Sequence, residues 1–149
     1  MNIYRGCIFP DDLLYDVAQD VWVRYQDGVA TMGMTDPAQS RCGKFVAVQF
    51  RTVGRVIAKG KVYATVESGK WVGPFPAVLT GEIIETNEAG FQRDILLANR
   101  DPYGAGWLVK IRPTKWEEER ANLLDAAAAF QEYRKKIEAL DLNCMRCMD

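Results

Sequence analysis

The residue with the clearest chemical use is Lys70. It lies in Glu67-Ser68-Gly69-Lys70-Trp71, between apolar runs at 61–66 and 71–78, inside a stretch that Gly60 opens and Gly81 closes. Gly69 can take φ > 0, so a Gly-Lys tip with glycine first predicts a type II′ hairpin turn. This places the Lys70 ammonium at the apex of a hairpin, in water. Solvated lysines are the surface norm, and an ordinary surface lysine is the alternative. A hairpin tip would give such an amine reach and a fixed base.

Cysteines are the second chemical resource. The chain has four, Cys7, Cys42, Cys144 and Cys147, and Cys144-Met145-Arg146-Cys147 is a C-x-x-C. Cys144 and Cys147 could form a redox pair, or the four thiols one tetrahedral zinc site. The zinc reading needs Cys7 and Cys42 to converge on the tail, which nothing in the sequence supports, so no metal is expected. Cys7 and Cys42 read more simply as small core residues. The chain has no histidine, which removes the commonest general base and excludes Ser-His-Asp and Cys-His catalysis. A carrier needs no general base, so a carrier is expected in preference to an enzyme.

Composition narrows the class further. The chain has 149 residues, 48% hydrophobic and 26% charged, in the range of one globular domain. With 19 basic against 20 acidic side chains it lacks the basic excess of a nucleic-acid binder. No apolar run approaches the roughly 20 residues of a membrane span, so no membrane insertion is expected. Met1-Asn2-Ile3-Tyr4-Arg5-Gly6 lacks the apolar core of a signal peptide. The expectation is a cytoplasmic protein whose cysteines are mostly reduced.

The elements that must position Lys70 are mostly short strands. Residues 1–20 read as an arm with one short helical turn near Pro10-Asp11-Asp12, packed across the rest. Residues 21–25 and 29–34 alternate about Asp27-Gly28, a hairpin. Asp36 as N-cap and Pro37 at the first helical position predict a short helix ending near Cys42-Gly43. The run 45–50 is so apolar that a central, buried strand is expected. Turns at Gly54 and Gly60 bracket further strands. Asn87 is a candidate cap for one or two short helices over 87–100, and 106–111 reads as a last strand. The fold class is mainly β, a flattened barrel or sandwich of two antiparallel sheets with short helices. Similar strand numbers on either side of Lys70 suggest two matched sheets. Thr114-Lys115-Trp116-Glu117 reads as a capping box opening one helix of about seven turns, with Leu123, Ala127, Phe130 and Ile137 on its apolar face. The divisions are therefore an arm at 1–20, a domain at 21–112, a C-terminal helix at 113–141 and a mobile tail at 142–149.

Several stretches together resemble a known family. Gly54, Glu67 and Gly81 stand sixteen before, three before and eleven after Lys70. Trp22-Val23 leads to Gly28-Val29-Ala30-Thr31, and Met34-Thr35-Asp36-Pro37-Ala38-Gln39 follows. Asn99-Arg100-Asp101-Pro102-Tyr103-Gly104-Ala105-Gly106-Trp107-Leu108 completes the set. This pattern, over residues 21–112, is similar to the glycine cleavage system H proteins. The resemblance implies a lipoyl domain with lipoic acid in amide linkage on Lys70, attached by lipoate-attaching enzymes. It makes Gly54, Glu67, Gly81 and Trp71 candidates for recognition by those enzymes or by partners. For Glu67 the alternative is a solvated hairpin carboxylate, and for Trp71 a partly buried strand aromatic. Biotin carriers also display a hairpin lysine but flank it with methionine, which is absent here.

The chain also departs from that family. It lacks the histidine before the first strand, has Gly69 and Trp71 on either side of Lys70, and carries Cys42 and a long terminal helix. With the arm at Arg5-Gly6-Cys7-Ile8-Phe9-Pro10, these features resemble the lipoate-binding proteins of heterodisulfide-reductase-like sulfur oxidation. That resemblance implies an arm carrying sulfur-bound intermediates or reducing equivalents to a heterodisulfide-reductase-like complex. The alternative is an H protein that carries the aminomethyl group among the glycine cleavage enzymes. A non-lipoylated interaction module, or a cysteine redox or metal protein, is the alternative of another class.

Overall fold

The computed structural model describes residues 1–148. The arm contains no helix. Arg5 and Gly6 both take positive φ, 48° and 78°, and turn β1 (Asn2–Tyr4) back on β2 (Cys7–Phe9). Two successive positive-φ residues make the tight turn whose twist suits a hairpin. The helical turn expected at Pro10 gives way to a plain turn. Phe9, Leu13 and Tyr15 are all buried here, and the Tyr15 hydroxyl donates to the Pro10 carbonyl at 2.6 Å.

β3 (Leu14–Asp16) pairs with β4 (Val21–Gln26), which turns through Asp27-Gly28 into β5 (Val29–Met34) as the sequence predicts. α1 (Asp36–Cys42) starts one residue off the expected register. Thr35 is the cap, its Oγ1 accepting from Ala38 N at 3.4 Å. Asp36 is drawn elsewhere, accepting the Ile8 N–H at 2.9 Å. β6 (Phe45–Phe50) is an edge strand and not the buried central one expected. Val46, Ala47 and Gln49 are exposed, and a register shift between Phe45 and Ala47 breaks the alternation.

Then come β7 (Val56–Ile57), β8 (Val62–Ser68), β9 (Val72–Pro76) and β10 (Gly81–Thr86). α2 (Glu88–Arg93), α3 (Leu97–Arg100) and β11 (Val109–Pro113) follow. Among the described residues the strands form sheets of seven, three and two. Their orders are β3-β4-β5-β11-β10-β7 with one short strand outside β3, then β6-β8-β9, then β1-β2. Every pairing is antiparallel. The two main sheets are thus unequal. Their facing sides enclose one core that includes Val21, Val23, Met32, Tyr63, Val66, Phe75, Ile83 and Ile111.

The C-terminal helix is broken in two. α4 (Trp116–Glu119) runs into a 3-10 turn at Arg120–Asn122, then β12 (Leu124–Asp125) and α5 (Ala126–Leu140). The capping box does not form, because the cap position falls on Lys115 and no side chain caps it. Glu119 is instead pulled to the sheet, accepting from Thr80 N at 2.6 Å and Thr80 Oγ1 at 2.7 Å. Leu124 pairs with Tyr15 as the outermost strand, and Asp125 Oδ1 caps α5 through Ala128 N at 2.9 Å. α5 lays Ala126, Ala129, Tyr133 and Ile137 on the arm, while Ala127, expected inside, faces out. Tyr133 stacks on Phe9 with centroids 4.6 Å apart. Within the tail, residues 144–147 are tied to Arg5, α1 and Asn99, whereas Met148 is exposed and Asp149 lies outside the described residues. Among the described residues no helix is long and apolar enough to cross a membrane.

Candidate functional site

Lys70 is exposed at the tip of the β8–β9 hairpin. The turn is not type II′, because the φ of Gly69 lies outside the left-handed region. A serine does the work assigned to glycine. Ser68 N donates to Trp71 O at 2.7 Å, and Ser68 Oγ accepts the Lys70 N–H at 3.3 Å. A hydroxyl bonded two residues on closes a turn without any positive φ. The same hydroxyl donates to Cys42 O at 2.6 Å, so the tip is tied to the end of α1.

Gly43, which ends α1 at φ 86°, lies under the Lys70 stem. A Cβ built on Gly43 would stand 3.0 Å from Lys70 Cε. Glycine is needed here twice, for its left-handed backbone and for the passage of the side chain. Asn99, buried from solvent, holds this turn from below. Its Nδ2 donates to Gly43 O at 2.8 Å, and its Oδ1 accepts Phe45 N at 2.9 Å. Thus Lys70 rises from a braced platform made by β8, α1 and α3, and among the described residues no carboxylate lies in ion-pairing range of its ammonium.

A cleft of about 310 Å³ opens beside the tip. Trp71, Pro74, Phe75 and Pro76 form one wall, and Met34, Ala38 and Cys42 another. Trp71 is 39% exposed, with its indole lying over Gly73 where a Cβ would stand. The prolines also blunt the outer edge of β9 against further pairing. Cys42 is a free thiol, 4% exposed. Burial pushes its pKa up, while a hydrogen bond with Ser68 and the charge of Lys70 pull it down by less.

The other sequence candidates divide clearly. Glu67 is exposed on β8 opposite Val72, separated from the Gly69-Lys70 tip by Ser68. Gly54 and Gly81 lie away from it. Gly54 N donates to Ile83 O at 2.8 Å, and Gly81 pairs with Ile57 and Pro113, at the end of the sheets opposite Lys70. They shape the fold and do not touch the site. Cys144 is bonded to Cys7, 137 residues away, so the cysteines expected to be mostly reduced include one disulfide, the possible Cys144–Cys147 pair is not formed, and Cys147 is free. The 99–108 run proves to be a brace. Besides Asn99, the Pro102 carbonyl accepts Trp22 Nε1 at 2.9 Å, and the Tyr103 hydroxyl joins Asp36 N at 2.8 Å to Ile8 O at 2.6 Å. Ser68 and Gly43 were missed as site residues. The one available signal for Gly43 was its position directly after a short capped helix.

The arrangement holds an exposed amine on a rigid tip beside a cleft that Gln19, Asp20 and Arg41 line together with the apolar walls. Comparison with known proteins agrees. The family model described as glycine cleavage H-protein matches residues 13–137. Glycine cleavage system H protein 3 of Aquifex aeolicus is 44% identical over 97% of this chain and 92% of its own length. H protein 2 of the same organism is 42% identical over 95% and 88%. A probable H protein 2 of Saccharolobus solfataricus is 38% identical over 98% and 99%. The crystal structure of a glycine cleavage system H protein from Mycobacterium marinum superposes with a TM-score of 0.70 at 32% identity, covering 83% of this chain and 98% of that one. The chain belongs to the glycine cleavage H-protein family and is a lipoyl carrier without catalytic residues of its own.

Proposed function

We propose that Lys70 bears the lipoyl group, in amide linkage formed by a lipoate-attaching enzyme, and that the chain serves glycine cleavage enzymes as carrier of the aminomethyl group. The observation that carries this is the exposed Lys70 on its brace, with Ser68 Oγ 2.6 Å from Cys42 O and a cleft walled by Trp71 and Phe75 alongside. When bound, the group supplies a dithiolane that cycles between disulfide and dithiol and takes a substrate fragment on one sulfur. The chain's own residues do the rest. Gly43 leaves room for the lysine stem, Ser68 fixes the tip, and Trp71, Pro74 and Phe75 offer an apolar wall. Tethering to such a tip raises the effective concentration at each partner site. Glu67 and Trp71, both exposed beside the tip, are the side chains we assign to contact with the attaching enzyme or a partner.

A second reading gives the same arm sulfur-bound cargo for a heterodisulfide-reductase-like complex. In its favour is the free thiol of Cys42 in the cleft wall beside Lys70. The relatives also include H proteins numbered 2, 3 and 5 in Aquifex aeolicus. The names of the relatives speak for glycine cleavage, and that reading is preferred. Reconstitution of the lipoylated protein with glycine cleavage partners tests it. Aminomethyl transfer is the expected result, and a loaded carrier that supports none would overturn the glycine cleavage reading.

A further inference from the structure

The end of the chain is a strap that the carrier role does not use. Cys144 is joined to Cys7, and its N–H donates to Arg5 O at 3.0 Å. Met145 N donates to Ser40 Oγ at 3.0 Å, and Met145 O accepts from Gln39 Nε2 at 2.7 Å. Arg146 Nε lies 3.3 Å from Asp36 Oδ1, on a carboxylate that is 0% exposed. Cys147 N donates to Asn99 O at 3.0 Å. The strap therefore runs from the disulfide, across α1, to the residue that braces Gly43 beneath Lys70.

The surface that receives it is shaped for it. Gly6 has φ 78°, and a Cβ there would stand 2.8 Å from the carbonyl oxygen of Cys144. A side chain at that position would collide with strap backbone. Cys7 is fully buried while Cys144 is half-buried, so Cys144 is the more accessible residue of the pair. The bond closes a loop across 137 positions, and its loss gives the chain end back the freedom of a terminus.

We propose that the Cys7–Cys144 disulfide is a second redox site of this chain, cleaved by small dithiols, and that cleavage releases the strap from α1 and Asn99. One thiolate of the dithiol attacks Cys144 Sγ, the Cys7–Cys144 bond breaks, and Cys7 leaves and takes up a proton. The second thiol of the dithiol then attacks the mixed disulfide, Cys144 leaves as a thiol, and a cyclic disulfide closes. The dithiol loses two electrons and two protons, and the cysteine pair gains both. That the natural dithiol is a reduced lipoyl arm rests on the carrier reading, whereas cleavage and release do not.

The test uses the full-length, unmodified, oxidised protein with excess dihydrolipoamide, so it is independent of Lys70 modification. Alkylation under denaturing conditions followed by intact mass counts thiols, and residue-resolved amide exchange follows the strap. Two thiols, Cys42 and Cys147, should rise to four. Exchange at Cys144, Met145 and Cys147 should accelerate by about tenfold or more, with the β4–β5 amides unchanged. Cys144→Ser, which leaves buried Cys7 in place, should show the fast exchange without any dithiol. A count that stays at two, four thiols with unaltered strap exchange, or an oxidised protein that pairs other cysteines would each overturn the proposal.

Discussion

The hydroxyl of Ser68 donates to the carbonyl of Cys42 at 2.6 Å, and through this bond the tip that carries Lys70 is fixed to the C-terminal end of α1. The hydroxyl is buried, and it also supports the Lys70 N–H. Ser68→Ala removes both contacts and leaves the Cys42 carbonyl without this donor. It should cost about 1–2 kcal/mol in urea unfolding. It should also slow attachment at Lys70 more than it alters the fold, because the amine loses its fixed base. Unchanged attachment kinetics would show that the bond holds structure alone.

Gly43→Ala meets a left-handed backbone and the Lys70 stem together. We expect a loss of about 1 kcal/mol or somewhat more from the backbone. The lysine should be displaced, read as slower modification by a lipoate-attaching enzyme. A Lys70→Arg background separates the two effects, since only the stability loss can appear there.

How much of this was legible beforehand depends on the range of the interaction. The β4–β5 hairpin, α1 and the exposed lysine follow from local alternation, a proline near a helix start and a turn, all written within a few residues. The C-terminal helix was misread because its break is made from far away. Glu119 is captured by Thr80, 39 positions earlier, and Leu124 by β3 at Tyr15. The tail was misread for the same reason, since Arg146 finds its carboxylate on Asp36 and Cys144 its partner at Cys7. At the tip, Gly69 drew attention as the turn former, yet Ser68 closes the turn by bonding both within the hairpin and across to α1. Asn99 stood in a legible run, but its role as the brace under Gly43 needed the fold.

Modification of Lys70 should be felt by Cys42. The ammonium of Lys70 lowers the pKa of this thiol, against the larger rise from burial. An amide on Lys70 removes that charge, so the Cys42 pKa rises further and its thiolate fraction falls. Alkylation of Cys42 near neutral pH should therefore be slower in the lipoylated protein than in the unmodified one. Mass-resolved labelling of the two forms checks this, with faster labelling after lipoylation as the contrary result.

Alkaline pH should unfold this protein through its tyrosines. Burial holds the hydroxyls of Tyr15, Tyr63, Tyr103 and Tyr133 protonated well above the ordinary value of 10.0. In the unfolded chain they ionise near that value, so above it the unfolded state binds fewer protons and stability falls as pH rises. Below it the contribution is fully present. Thermal melts from about pH 8 to about pH 11 should show Tm steady and then dropping. Tyr133→Phe should flatten the drop while losing the bonds to Asp20 and Thr35, 2.9 Å and 3.2 Å long. A Tm independent of pH across this window would contradict the burial of these groups.

The most direct test of the account is intact mass after co-expression with lipoate-attaching enzymes. Wild type should gain the mass of one lipoyl group, with peptide mapping on Lys70, and Lys70→Arg should gain nothing while melting as wild type does. An unmodified wild type, or a Lys70→Arg protein that still takes up the group, would contradict the assignment of Lys70 as the carrier residue.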